Sequence, residues 1–428
     1  MGLTQVSKDG VKNDAIDASK LPANSVGASE LADNAVDTNA IADDAVGADQ
    51  LASNAVVTAS IADNAITQAK INVPISNRNL IINGAMQVAQ RNTQVTGISS
   101  GGYHICDRWK LGYGNAGIWT LSKSTDTPNN FGSSFKFDCT TASPSLSAGS
   151  NLQLIQFFEG QDLQNIEKGT STAKQITVSF YVKTNKTGTY IVELMDHDNS
   201  NRHCSKSYTV SNTNWNRYEL TFPADTTGTL DNDNAKSFEV GFWLVAGSTF
   251  QGSSLQTTWG TLNQGERAVG QVNLADSTSN EWYITGVQLE VGSVATDFEH
   301  RSFAQELLLC QRYYQQIVVS DGNAGIGILR ASNSNNFQQL AGIPQIVKMR
   351  AAASGAVISS NSTITCRRLN GSSSDITASL SFAGGSSSYA RISFRFTGDI
   401  SGQFVNTEPY ACWDEGQGGI VVSQDAEL

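Results

Sequence analysis

No Phe, Trp or Tyr occurs in the first hundred residues: all 35 aromatic residues of this 428-residue chain lie at or after Tyr103. A segment without aromatic bulk does not build an ordinary globular core, so something else must order it. Charge is scarce as well. Only 16% of residues are charged, and 28 Lys and Arg against 39 Asp and Glu leave a formal charge of −11. That balance repels phosphate backbones and anionic membranes, which argues against nucleic acid as a partner. No apolar run reaches about eighteen residues, so no membrane insertion is expected. The start MGLTQVSKDG has no apolar stretch after a basic cap, and Val6 stands where myristoylation wants Ser or Thr, so neither a secretory signal nor a lipid anchor is read there. The six cysteines (Cys106, Cys139, Cys204, Cys310, Cys366, Cys412) form no CxxC pair. They fit neither a structural zinc site nor a disulfide scaffold, and buried, reduced thiols are expected.

What is abundant is Gly, Ser, Thr, Asn and Gln, a mixture that favours strands and turns over long helices. The fold class expected is therefore mainly β. The aromatic-free start carries its own order. Thirteen apolar residues recur every fifth position from Val11 through Ile16, Leu21 and onward to Ile66 and Ile71. A ten-residue unit surrounds them, as in LADNAVDTNA and IADDAVGADQ. Five-residue steps scatter around a helix and alternate faces on a strand, so neither a single amphipathic helix nor a regular strand fits. Short turning segments with one small apolar contact each cannot bury that surface alone, whereas three copies wound around an axis can. We read a homotrimeric shaft over residues 11–71. The alternative is a disordered acidic linker, since residues 1–71 hold 4 basic and 10 acidic groups, a net of −6.

The remaining boundaries follow from breaks in pattern: an attachment peptide at 1–10, a neck at 72–78 around a proline, a β-sandwich domain at 79–316, and a smaller C-terminal β-domain at 317–428. Alternation in Ile176, Val178, Phe180, Val182 and in Phe238, Val240, Phe242, Leu244 marks half-buried strands. Trp109, Trp215, Trp243 and Trp282 sit in strand-like runs and are assigned to the core. One helix is expected at Ser302–Gln315, with a capping box of Ser302 and Gln305 and a shared face of Phe303, Leu307, Cys310 and Tyr314.

The ADNAV and ADDAV decads, the stretch NRNLIINGAMQVAQRNT followed by YHICDRW, and the stretch NEWYITGVQLEVGSVATDFEHRSFAQELLLCQRYYQQ together resemble bacteriophage tail-fibre and receptor-binding proteins, particularly of phages that infect cyanobacteria and other Gram-negative bacteria. The middle domain is similar in strand pattern to jelly-roll carbohydrate-binding modules. The resemblance implies a non-catalytic adhesin of the virion, assembled in the host cytoplasm. It would bind a host surface glycan (lipopolysaccharide or another polysaccharide) through a trimeric tip and attach to baseplate or other virion proteins through the N-terminus. It supplies no ligand residues.

Sugar recognition needs flat apolar faces for pyranose C–H groups and polar side chains for the hydroxyls. Aromatics in loops are the first candidates: Trp259 in GSSLQTTWGTLNQG, Tyr113 in GYGNAG and Tyr103 in SSGGYH. The segment MDHDNSNRH adds Asp196, Asp198 and Arg202, as sugar-hydroxyl partners, as oxygen donors to a structural Ca2+, or as a solvated turn. No other cofactor is expected. Gly112, Gly114 and Gly117 spell GxGxxG but run into the strand-like IWTLSKS, and Gly97, Ser99 and Gly101 spell GxSxG in a Ser/Gly loop, so neither a dinucleotide site nor a nucleophile elbow is read. Glu159 and Asp162 are ordinary surface acids in this reading, and no enzyme is expected. The rival readings are a structural virion fibre (a capsid decoration or baseplate connector) and a glycan-depolymerising tailspike.

Overall fold

The computed structural model describes residues 77–316, 347–351 and 423–428 with their side chains, together with the backbone of strands in between. The attachment peptide, the decad repeat and residues 72–76 of the neck lie outside the described residues.

Two six-stranded antiparallel sheets form a β-sandwich. Sheet A runs β1 (Gln94–Ile98), β4 (Ile118–Ser124), β5 (Ser134–Thr141), β12 (Glu281–Val291), β7 (Ile176–Thr184), β10 (Asn216–Phe222). Sheet B runs β2 (Gly102–Tyr103), β3 (Lys110–Gly114), β6 (Asn151–Glu159), β11 (Lys236–Ala246), β8 (Gly188–Asp196), β9 (Arg202–Val210). Chain neighbours repeatedly change sheet, as in a jelly roll. The expected alternation holds on the inner faces: Ile176, Val178, Phe180 and Val182 of β7 meet Phe238, Val240, Phe242 and Leu244 of β11 in one core. Phe180 and Phe242 touch edge to face across the sandwich at 5.0 Å, and Phe137 meets Trp282 at 5.5 Å, geometries that add to simple area burial.

Half-burial of β11 was the expectation, and the structure corrects it, because the strand is buried on both sides along nearly its whole length. The cause is the long loop after it, which folds back over sheet B: Trp243 packs with Ile191, Ala246 and Ala268, and its ring meets Phe250 at 5.0 Å. Trp109, Trp243 and Trp282 are buried as read. Trp215 is not in the core. It stands half-buried just before β10, and its indole N–H donates to Asp126 at 2.9 Å.

The two sandwich motifs quoted above meet at one end of the sandwich. Asn79 Nδ2 donates to Val287 O at 3.1 Å, while Asn79 Oδ1 accepts from Ile81 N and Leu289 N. Gly84 lies so close to β12 that a Cβ there would stand 2.1 Å from Val287 O. From the closing motif, Glu299 accepts from the amides of Asn77 and Asn79 at 2.6 and 2.8 Å, and Arg301 donates to the carbonyls of Asn79 and Ile81. Much of that long signature therefore works as a clasp.

Helix α1 spans Phe303–Gln311 and ends four residues earlier than expected, with the Ser302–Gln305 capping box in place. Of the expected face Cys310 and Tyr314 are buried and Leu307 half-buried, whereas Phe303 at the first turn is exposed; Glu306 and Gln311 are buried beside them. Glu306 accepts from Asn83 N at 2.9 Å and pairs with Arg301 at 3.2 Å, which makes a polar anchor. The helix ends early because two tyrosines serve elsewhere: Tyr313 lies under the Arg108 guanidinium at 3.4 Å and Tyr314 under that of Arg91 at 3.6 Å. Both arginines reach the last described segment, where Arg108 pairs with Glu427, and Arg91 pairs with Asp425 at 3.0 Å and Glu427 at 3.4 Å. Between them the C-terminal strands form a three-stranded and a seven-stranded sheet of their own. Cys106, Cys139, Cys204 and Cys310 are buried free thiols.

Candidate functional site

Four of the six residues singled out from sequence come together, but around a lysine that the sequence reading passed over. Lys168 pairs with Asp196 and, at 3.0 Å, with Asp225, donates to the carbonyls of Thr227 and Gly228, and lies over the Trp259 ring at 5.4 Å. Arg202 forks onto Asp225 at 3.0 and 3.1 Å. Asp198 accepts from Asp231 N at 2.9 Å. Asp196 is fully buried with both oxygens already engaged, Oδ1 by the amides of Asp198 and Asn199 and Oδ2 by Lys168 and the Asn199 side chain, which leaves neither for a sugar. Trp259 is turned onto its own sandwich: its ring meets Phe238 at 5.8 Å and its N–H donates to Pro223 O at 2.8 Å. This cluster staples a loop; it is no open site. Among the described residues no three His, Cys, Asp or Glu converge in a metal-ligating arrangement.

The two tyrosines are elsewhere. Tyr113 donates its hydroxyl to Gly117 O at 2.6 Å, closing the turn into β4, which is a strand as read from the GxGxxG stretch. Tyr103 donates to Leu428 O at 2.9 Å. Glu159 is no surface acid. Burial alone would raise its carboxyl, but hydrogen bonds from Arg312 hold it below its ordinary range.

An open cleft of about 570 Å³ lies on the outer side of sheet A, lined by Asn129, Asn130, Phe131, Tyr181, Asp297, Phe298 and His300. Three stretches of chain build it. In TPNNF, Phe131 N donates to Pro128 O across a turn whose Asn130 takes φ +71°, a conformation that asparagine tolerates well. Tyr181 stands on β7 opposite Thr285, where β12 carries a bulge. The third stretch, after β12, is tied down by buried side chains: Glu290 accepts from Thr296 N at 2.9 Å and Thr296 Oγ1 at 2.7 Å, and Gln288 accepts from Glu299 N. The rings gather closely. Phe131 lies 5.3 Å from Tyr181, 5.1 Å from Phe298 and 5.2 Å from His300.

Gly286 makes the gathering feasible. It sits in the bulge at φ +62°, and a Cβ there would stand 2.7 Å from Phe131 Cζ and 2.9 Å from Tyr181 Cδ2. Gly286→Ala should therefore cost about 2 kcal/mol through left-handed strain and overpacking, and displace Phe131. Thermal melting and near-ultraviolet circular dichroism check this; an unchanged melt and spectrum would mean the rings do not rest on the bulge. The cleft escaped the sequence reading because its parts lie at 129–131, 181 and 297–300, with no local periodicity linking them. The signals available were the Asn-Asn-Phe turn and the DFEH run within the closing motif.

The fold places the chain among two-sheet antiparallel β-sandwiches. No protein-family model matches it, and no curated protein does. Among solved structures the chain is similar to a CBM4 structure (11% identity, TM-score 0.26, covering 49% of this chain and 97% of that one). It is also similar to a putative sugar binding protein from Bacteroides thetaiotaomicron (13%, TM-score 0.29, 50% and 100%) and to TmCBM61, solved with β-1,4-galactotriose (12%, TM-score 0.25, 50% and 99%). At such scores nothing about ligands passes from them to this chain.

Proposed function

We propose that this chain is a non-catalytic phage receptor-binding fibre whose sandwich takes a host surface glycan in the cleft of Phe131, Tyr181 and Phe298. The cleft is the observation that carries the reading. It offers aromatic faces to pyranose C–H groups, with the amides of Asn129 and Asn130 and the carboxylate of Asp297 at the rim for hydroxyls. The phage setting rests on the decads and the two sandwich motifs. Three chains on one shaft would multiply weak individual sites by avidity.

The test is a glycan and lipopolysaccharide array probed with the full chain, after light scattering has given its mass in solution. Selective binding that falls about tenfold or more in Phe298→Ala and in Tyr181→Ala supports the cleft. Binding untouched by both would keep the adhesin and discard this site. A monomer by light scattering would end the trimer, and a folded chain that binds no glycan would turn the reading toward a structural virion fibre.

A further inference from the structure

The outer side of sheet B carries a second arrangement, remote in register from the cleft. The loop after β11 covers this side over β8 and the far end of β11, where Ile191 and Trp243 pack. The near part, across β3, β6 and β11, is set out by register. Lys110 stands opposite Ile155, which stands opposite Gly241; Gly112 stands opposite Gln153; Phe157 stands opposite Glu239; and Lys236 stands opposite Glu159. Side chains at paired positions share a face, so Lys110 and Lys236 reach the Phe157 ring from the strands on either side. Their ammonium groups lie 5.1 and 4.8 Å from its centroid, and Lys110 also lies 5.7 Å from the Tyr103 ring.

In a chain of formal charge −11, these two lysines are held by aromatic faces, and neither has an ion-pair partner among the described residues. The Glu239 carboxylate near Lys236 engages His197 Nε2 through its Oε2 at 2.9 Å. Burial lowers the Lys236 ammonium; Glu239 opposes that, and Lys110 adds to it, a repulsion that a bound anion would relieve. Beside the lysines the sheet is stripped of side chains at Gly241. A Cβ there would stand 3.4 Å from both Gln153 Oε1 and Glu239 Oε1, so two acceptor oxygens converge over the glycine. Gln153 is 6% exposed, and its Oε1 has no hydrogen-bond donor. A buried acceptor without a donor is costly unless something supplies one.

Two unneutralised cations beside two hydroxyl-accepting oxygens match a ligand that is both an acid and a polyol. We propose that this face binds an acidic saccharide unit, with Lys110 and Lys236 holding its carboxylate and Gln153 and Glu239 accepting from its hydroxyls. Gln153 and Phe157 are four residues apart on one strand, roughly 13 Å, which spans about two hexose units. The site does not depend on the cleft on sheet A.

Titration calorimetry of the full chain against galacturonate, glucuronate and mannuronate oligomers, each paired with its carboxyl-reduced counterpart, tests it. The acidic form of at least one should bind, weaken with salt, and lose about tenfold or more in Lys110→Met/Lys236→Met, while Phe298→Ala leaves it unchanged. Should the double variant misfold, acetylation of the wild-type chain read by mass spectrometry replaces it, with Lys110 and Lys236 expected to be protected several-fold by the bound oligomer. Absence of binding across the panel, equal binding of the reduced forms, or undiminished labelling of both lysines would overturn the proposal. Loss of binding in Phe298→Ala together with full binding in the lysine variant would place the acid in the cleft and overturn it equally.

Discussion

Arg108→Leu should lower stability by about 3–5 kcal/mol and the melting temperature by on the order of 10 °C. Arg108 is fully buried at φ +71°, pairs with Glu427, donates to Phe157 O at 2.7 Å and stacks on Tyr313. Left-handed backbone is costly for an arginine, so the surroundings must over-determine its position. Leucine would fill part of the volume but leave the Glu427 carboxylate, 3% exposed, facing an apolar side chain, with only the longer 3.4 Å pairing to Arg91 among the described residues to offset its charge. A double change, Arg108→Leu with Glu427→Leu, should recover a substantial part of the loss, because the stranded charge goes with it. Equal melting of the single and double variants would assign the loss to packing and remove the ion pair from the account.

Lys168→Met should be the other large loss, again about 3–5 kcal/mol, because one ammonium serves two carboxylates, Asp196 and Asp225, that lie almost wholly out of water. The pH dependence gives the prediction a second handle. Burial would raise the Asp225 carboxyl, but Arg202 and Lys168 together hold it below its ordinary value. A carboxylate lowered on folding contributes stability that is present above its unfolded pKa and lost as pH falls through the folded one. Without Lys168 that lowering shrinks, so acid should destabilise the variant less than the wild type, and Asp196→Asn added to Lys168→Met should restore stability near pH 7. Urea titrations at pH 7 and pH 4 decide; parallel losses in both chains at both values would contradict the assignment.

These two clusters show where sequence reading worked and where it stopped. The period-two runs of β7 and β11 and the capping box at Ser302 are local patterns, and each is found where the pattern placed it. The aromatic faces of Tyr313 and Tyr314 shortened the helix from outside, through arginines more than two hundred residues earlier in the chain. Asp196, Asp198 and Arg202 read as exposed donors because the turn that carries them is polar; the lysine that neutralises Asp196 sits 28 positions away and gives no local sign of that role. The cleft shows the same limit more strongly, since only the bulge at Gly286 and the tied-down segment at 296–299 bring Phe131, Tyr181 and Phe298 together.

The clasp formed by Asn79, Glu299 and Arg301 has a mechanical consequence. The chain enters the sandwich at residue 77 and leaves it at 302 through groups that bond directly to one another. Tension applied along the polypeptide would cross from one side of the clasp to the other without travelling through either sheet. Its first resistance is then a few charged hydrogen bonds loaded in parallel, and the twelve strands hang beside the line of force as a shielded side loop. A pulling experiment that anchors the chain before 77 and directly after 302 should show an early, small rupture at the clasp, followed by a separate and larger event when the sandwich itself gives way.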